Sequence, residues 1–118
     1  MINVKDIIYK TISKNYDLSD SYPQNFTNLP AIQYSEEENN VYEFTDDEEA
    51  SSYIRYRFDI WDNKSTSKTA CDIDEMMAKL GFKRTSCSDT PDPSGLKHKL
   101  MRYEAIIDCS KNFIYHNG

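Results

Sequence analysis

Glycine is scarce, with three in 118 residues. A phosphate loop whose backbone amides cradle an anion is hardly possible with so few, and no Gly-rich motif occurs. Histidine is scarcer still. His98 and His116, with Cys71, Cys87 and Cys109, make no CxxC or HxxxH spacing, so the residues do not describe a zinc site. An odd number of widely spaced cysteines argues against a disulfide framework. No apolar run is long enough to span a bilayer, and Met1-Ile-Asn-Val lacks the basic and apolar regions of a secretory signal. These absences lead to the expectation of a soluble protein made and kept in the cytoplasm, with no cofactor, no metal, no membrane association and no enzymatic activity.

Basic residues are missing from one stretch in particular. Glu36 to Glu49 holds eight acids (Glu36, Glu37, Glu38, Glu43, Asp46, Asp47, Glu48 and Glu49) and no Lys or Arg. The net charge is −6, so the remainder carries 14 basic residues against 12 acidic ones. The acidity is therefore local, and Lys83 to Arg102 leans the other way, with Lys83, Arg84, Lys97, Lys99 and Arg102 against Asp89 and Asp92. Asp46-Asp-Glu-Glu49 lacks the ligand spacing and turn glycine of an EF-hand. Asp72, Asp74 and Glu75 read as solvated acids early in a helix rather than as metal ligands. No spacing supports a Cys–His nucleophile pair, and Cys71 reads as a small half-buried helix residue.

What is present is pattern. Tyr53 to Trp61 alternates, with Ile54, Tyr56, Phe58 and Ile60 on one face and Tyr53, Arg55, Arg57, Asp59 and Trp61 on the other. Period two with β-branched and aromatic residues predicts a strand packed on one side and partly wet on the other. Asp62 to Ser67 breaks the pattern with turn and cap residues. Ala70, Ile73, Met77 and Leu80 then mark one helical face, which Gly81 is suited to close, with Phe82 folding back as the accompanying apolar contact.

Elsewhere, Asn3 to Lys14 reads as a helix with the stripe Val4, Ile7, Ile8 and Ile12, capped by Asn3. Asn15 to Pro30 reads as an extended connection, and Leu29 to Tyr34 leads into a first strand with Ile32 and Tyr34 on one face. The acidic segment reads either as an extended hairpin arm or as a loop that orders on assembly. Phe82 to Ser86 suits a short strand, Ser88 to Gly95 a loop, and Leu96 to Asp108 a long last strand. The tail keeps Phe113, Ile114 and Tyr115 as a strand extension or as a segment waiting for a neighbour. The expected fold is a single α+β domain over residues 1–118: a mainly antiparallel four-stranded sheet with two helices packed on one face.

Several stretches in order (Leu29-Pro-x-Ile-x-Tyr34, Arg55-Tyr-Arg-Phe-Asp-Ile-Trp61, a Ser/Thr turn with a helix ending Leu80-Gly-Phe-Lys-Arg84, and His98-Lys-x-x-Arg102-Tyr) resemble tail-completion proteins of long-tailed phages and Gram-positive prophages, also called tail terminators or head–tail joining proteins. Each stretch is a packing pattern, and their order and spacing carry the likeness. The resemblance implies a small α+β subunit that forms a hexameric ring, caps the tail tube protein and docks it to the head connector protein. DNA would pass through its channel without specific binding. It implies a place at the head–tail interface of the virion, after assembly in the host cytoplasm, and no catalytic residues. In such a ring the eight acids would face the channel or the rim of a neighbouring ring. The other reading of the composition is a monomeric acidic binding module, a DNA mimic occupying a basic site on another protein.

Overall fold

The computed structural model describes residues 3–45, 48–110 and 113–116. The elements run α1 (Lys5–Ile12), β1 (Leu18–Ser19), β2 (Ala31–Thr45), β3 (Glu48–Asp62), α2 (Ser67–Leu80), β4 (Lys83–Thr90), β5 (Lys97–Asp108) and β6 (Phe113–Tyr115). The fold is α+β, with two helices and a six-stranded mixed sheet in the order β1-β2-β3-β5-β4, β6 pairing separately with β5. The expected four-stranded antiparallel sheet is its centre. The two additional strands are two and three residues long, too short to show a period. One of them, β1, is parallel to β2, and so the sheet is mixed.

The alternation in β3 does what it predicts. Ile54, Tyr56, Phe58 and Ile60 are buried and stand opposite β5 residues, Ile54 on Ala105, Tyr56 on Tyr103 and Phe58 on Met101. Ile32 and Tyr34 join them from β2. Over this face lie Val4, Ile8 and Ile12 of the α1 region and Ala70, Ile73 and Met77 of α2, all in one apolar cluster. Ile7 is an exception to the stripe drawn from the sequence, because it is turned out to solvent. Asn3 accepts the Lys5 backbone N–H at 2.9 Å, which satisfies one free donor at the start of α1.

Helix α2 ends as Gly81 allows. With φ of 101°, Gly81 directs its N–H to the Ala78 carbonyl and that of Phe82 to the Met77 carbonyl. These are the two bonds of a Schellman closure, after which Phe82 is buried, edge-on against Tyr56 of the sheet. Strand β4 runs on to Thr90, so Ser88, Asp89 and Thr90 belong to a strand and the expected loop is shorter. Their polar composition is that of an edge strand with both faces largely wet, which composition alone does not separate from a loop. The tail turns back as β6, antiparallel to β5.

Candidate assembly interface

The described residues of the acidic segment lie on the two strands of a hairpin arm. β2 and β3 pair antiparallel from Ala31↔Trp61 out to Thr45↔Glu48, with irregularities after Glu36 and near Glu43. The longest dimension of the chain is 52 Å against 27 and 25 Å for the others. An arm of this length carries its acids along an edge and does not gather them into one cluster. Glu36 is exposed and points to the helix-covered face, opposite Tyr56. The bulge after it puts Glu37 and Glu38 together on the open face. Glu43 is exposed further out, opposite Ser51. Glu49 accepts a hydrogen bond from the Ser52 hydroxyl at 2.5 Å. Glu48 pairs with Thr45 through the strand register. Asp46 and Asp47 lie outside the described residues.

Two of the acids are held by arginines. Glu37 Oε1 accepts from Arg55 Nε at 3.2 Å and from Arg102 Nε at 3.0 Å, and Glu38 Oε1 lies 3.1 Å from Arg55 Nη2. The register explains the need. Arg57 and Arg102 stand directly opposite one another, and Arg55 stands opposite Glu104. Like charges directly across a strand pair are destabilising, and a carboxylate in the bulge offsets this. Glu104 in turn accepts the Tyr53 hydroxyl at 2.7 Å. Burial, then this carboxylate, push the Tyr53 hydroxyl up to about 12.

The open face closes at its other end in a buried polar cluster that the alternation half reveals. Arg57 donates to Asp59 at 2.9 and 3.1 Å, and His98 Nε2 lies 2.8 Å from Asp59 Oδ1. A carboxylate only accepts, so Nε2 is the donor in this contact. Nδ1 is left buried with no hydrogen-bond partner, 3.5 Å from Asp92 Oδ1. Trp61 stacks on the His98 ring at 4.6 Å and donates to Asp92 at 3.1 Å. Hydrogen bonds from Ser94 and then Trp61 hold the Asp92 carboxyl below its usual range. Tyr22 and Phe26, from the connection before β2, pack on Trp61 at 5.4 and 5.7 Å. Arg57, Asp59 and Trp61 were legible as residues of one strand face. Asp92, Tyr22 and Phe26 come from irregular segments, where no periodicity signals a partner.

The helix acids have separate partners. Asp72 accepts from Tyr16 at 2.5 Å and from Lys68 at 2.9 Å. Asp74 accepts from Tyr103 at 2.9 Å and lies 3.2 Å from Arg84, and Glu75 lies 3.1 Å from Lys79. Cys71 is exposed rather than half-buried, because it falls just beyond the α2 stripe of Thr69, Ala70, Ile73 and Met77. Among the described residues no group of three or more His, Cys, Asp or Glu is placed to hold a metal ion, and no helix is long and apolar enough to cross a membrane.

The remaining surface that asks for a partner is at the sheet edges. Among the described residues, no strand pairs with the outer edge of β2 beyond Gln33, or with the outer edge of β4. Val41, Tyr42 and Phe44 on β2 are exposed, Phe44 at 67%, and so is Phe113 on β6, at 60%. Long edges with exposed apolar side chains pair readily with another chain. No protein-family model and no curated protein matches this chain.

Proposed function

We propose that this chain is a structural subunit of a virion, a tail-completion protein. On this reading a ring of copies caps the tail tube and joins it to the head connector, leaving a channel for DNA. The observation that carries the reading is the β2–β3 arm. It is paired antiparallel out to Thr45↔Glu48, with irregularities after Glu36 and near Glu43, and it presents exposed Val41, Tyr42 and Phe44 together with exposed Glu43. An exposed apolar strip on a paired arm fits a surface that is covered on assembly. The likeness of the strand and helix stretches to tail-completion proteins supplies the partners, the tail tube protein and the head connector protein. The outer acids of the arm fit a channel or rim that repels DNA phosphates, so that the duplex passes without sticking. Glu37 and Glu38 are neutralised by arginines of their own chain, which leaves fewer free carboxylates for a monomeric DNA mimic.

The test is fractionation of a tail-assembly lysate. The chain is expected to sediment with tail tubes and to be needed for joining them to heads. Replacing Asp46, Asp47, Glu48 and Glu49 with Ser is expected to leave folding intact and to lower the yield of DNA-filled, joined particles. A chain that stays at the top of the gradient while joined particles form normally overturns the reading.

A further inference from the structure

Among the described residues, two long sheet edges are open, and they differ in charge. The outer edge of β2 carries Glu36, Glu37, Glu38 and Glu43, while β4 begins with Lys83 and Arg84. The pairing register ties the two edges together. One row across the sheet runs Glu36, Tyr56, Tyr103, Arg84, and another runs Glu38, Arg55, Glu104, Lys83. The acids on one side and the cations on the other therefore stand at the same level. The match extends outward, because β6 continues the β4 side of β5, and a further row runs Val41, Ser52, Ile107, Ile114. An exposed apolar residue on one edge is level with an apolar residue on the other.

Strand directions agree as well. Each neighbouring pair in β2-β3-β5-β4 is antiparallel. Hence β4 of one copy meets β2 of a second, similarly oriented copy antiparallel, and the helices of both copies lie on the same side. We propose that β4 and β6 of one copy pair with the outer edge of β2 of a second copy, head to tail, placing Arg84, which also lies 3.2 Å from Asp74 of its own chain, beside the exposed Glu36, and Lys83 beside Glu38, which it shares with Arg55 of that second copy. Such a contact uses two different patches. It therefore repeats from copy to copy, closing into a ring or continuing as a filament according to the rotation at each step. Opposite charges at two levels and apolar residues at a third favour this register, and a slip by one residue turns every side chain to the wrong face. The β1 strand, which covers β2 only at Ile32 and Gln33, marks one end of the available edge.

This contact deepens the reading of the chain as an assembling subunit, and the experiment separates the two. In a background where Cys71, Cys87 and Cys109 are Ser, two single variants are prepared, Ser35→Cys and Ser86→Cys. These positions end the row Ser35, Arg57, Arg102, Ser86. Both variants are first checked for native far-UV circular dichroism, then mixed and oxidised with glutathione disulfide. A disulfide-linked dimer is expected from the mixture and not from either variant alone. Adding Arg84→Glu to the Ser86→Cys chain is expected to slow cross-linking about threefold, and adding Glu36→Lys to its partner to restore it. Cross-linking by one variant alone means a two-fold contact and overturns the proposal, as does a mixture that gives no dimer. A dimer from a protein that never sediments with tails keeps this contact and removes the tail reading. Association with tails without the cross-link does the reverse.

Discussion

At the scale of the residue, the two most informative positions are Phe58 and Gly81. Phe58 is fully buried at the centre of the sheet, edge-on to Tyr103 at 5.8 Å. Phe58→Ala removes the ring and leaves a cavity that two helices and a sheet cannot collapse around, so a loss of about 3–5 kcal/mol in denaturant titration is expected. A loss below about 1 kcal/mol would mean that the face is not packed as described. Gly81 answers to two constraints at once. Its φ of 101° is left-handed, and a methyl group there would run into the main-chain carbonyl of Ile114 in β6. The left-handed conformation alone costs a non-glycine residue about 1–2 kcal/mol. Gly81→Ala is therefore expected to cost more than that, and to loosen β6 in particular. Faster amide exchange at Ile114 and Tyr115 than at Ile106 and Ile107 would show it, and an unchanged exchange pattern would refute it.

At the scale of the element, β3 and the arm show what periodicity reveals and where it stops. The faces of Tyr53–Trp61 and of Met101–Ile107 are legible because an alternation of apolar and polar residues is the physical cause of which side is buried. The stripe of α2 and its end at Gly81 are legible for a similar reason. The outer arm is not, because its two faces are both wet and Val41, Tyr42 and Phe44 follow no period. Its pairing becomes visible only through the partner strand. The ion pairs of Glu37 were hidden by the bulge, which puts two successive acids on one face against the rule of alternation. That bulge supports a prediction. Glu37 is 20% exposed and serves both Arg55 and Arg102. Glu37→Gln keeps the shape and removes the charge between two guanidinium groups, for an expected loss of about 1 kcal/mol, shrinking in high salt. A double-mutant cycle with Arg102→Met should return most of that loss as coupling. A coupling energy near zero would mean that Glu37 is simply a solvated acid.

At the scale of the whole molecule, the connections flanking the sheet are each tied in part through a carboxylate. Asp92 ties the β4–β5 loop to Trp61, and Asp72 ties Tyr16, in the segment after α1, to α2. Asp20 ties the next part of that segment to Lys5 of α1 at 2.5 Å. All three carboxyls lie below their usual range. Ser94 and Trp61 cause it for Asp92, Tyr16 and Lys68 for Asp72, and Lys5 for Asp20. A carboxyl whose folded value is depressed contributes stability above its unfolded value, about 3.9. That contribution fades as pH falls through the unfolded value and is gone below the folded one. The central sheet owes most of its burial to aliphatic and aromatic residues that do not change charge in the acid range. Acidification below about pH 4 is therefore expected to release the connections first, while β2, β3 and β5 keep their pairing. Limited proteolysis with pepsin at falling pH should cut within residues 16–30 and 91–96 before it cuts in β3 or β5. Asp92→Asn keeps the shape of the side chain but cannot titrate, so it should flatten the pH dependence of cleavage in the second segment and leave the first unchanged. Cleavage that begins in β3, or a first segment that responds to Asp92→Asn, would show that the connections and the sheet open as one unit.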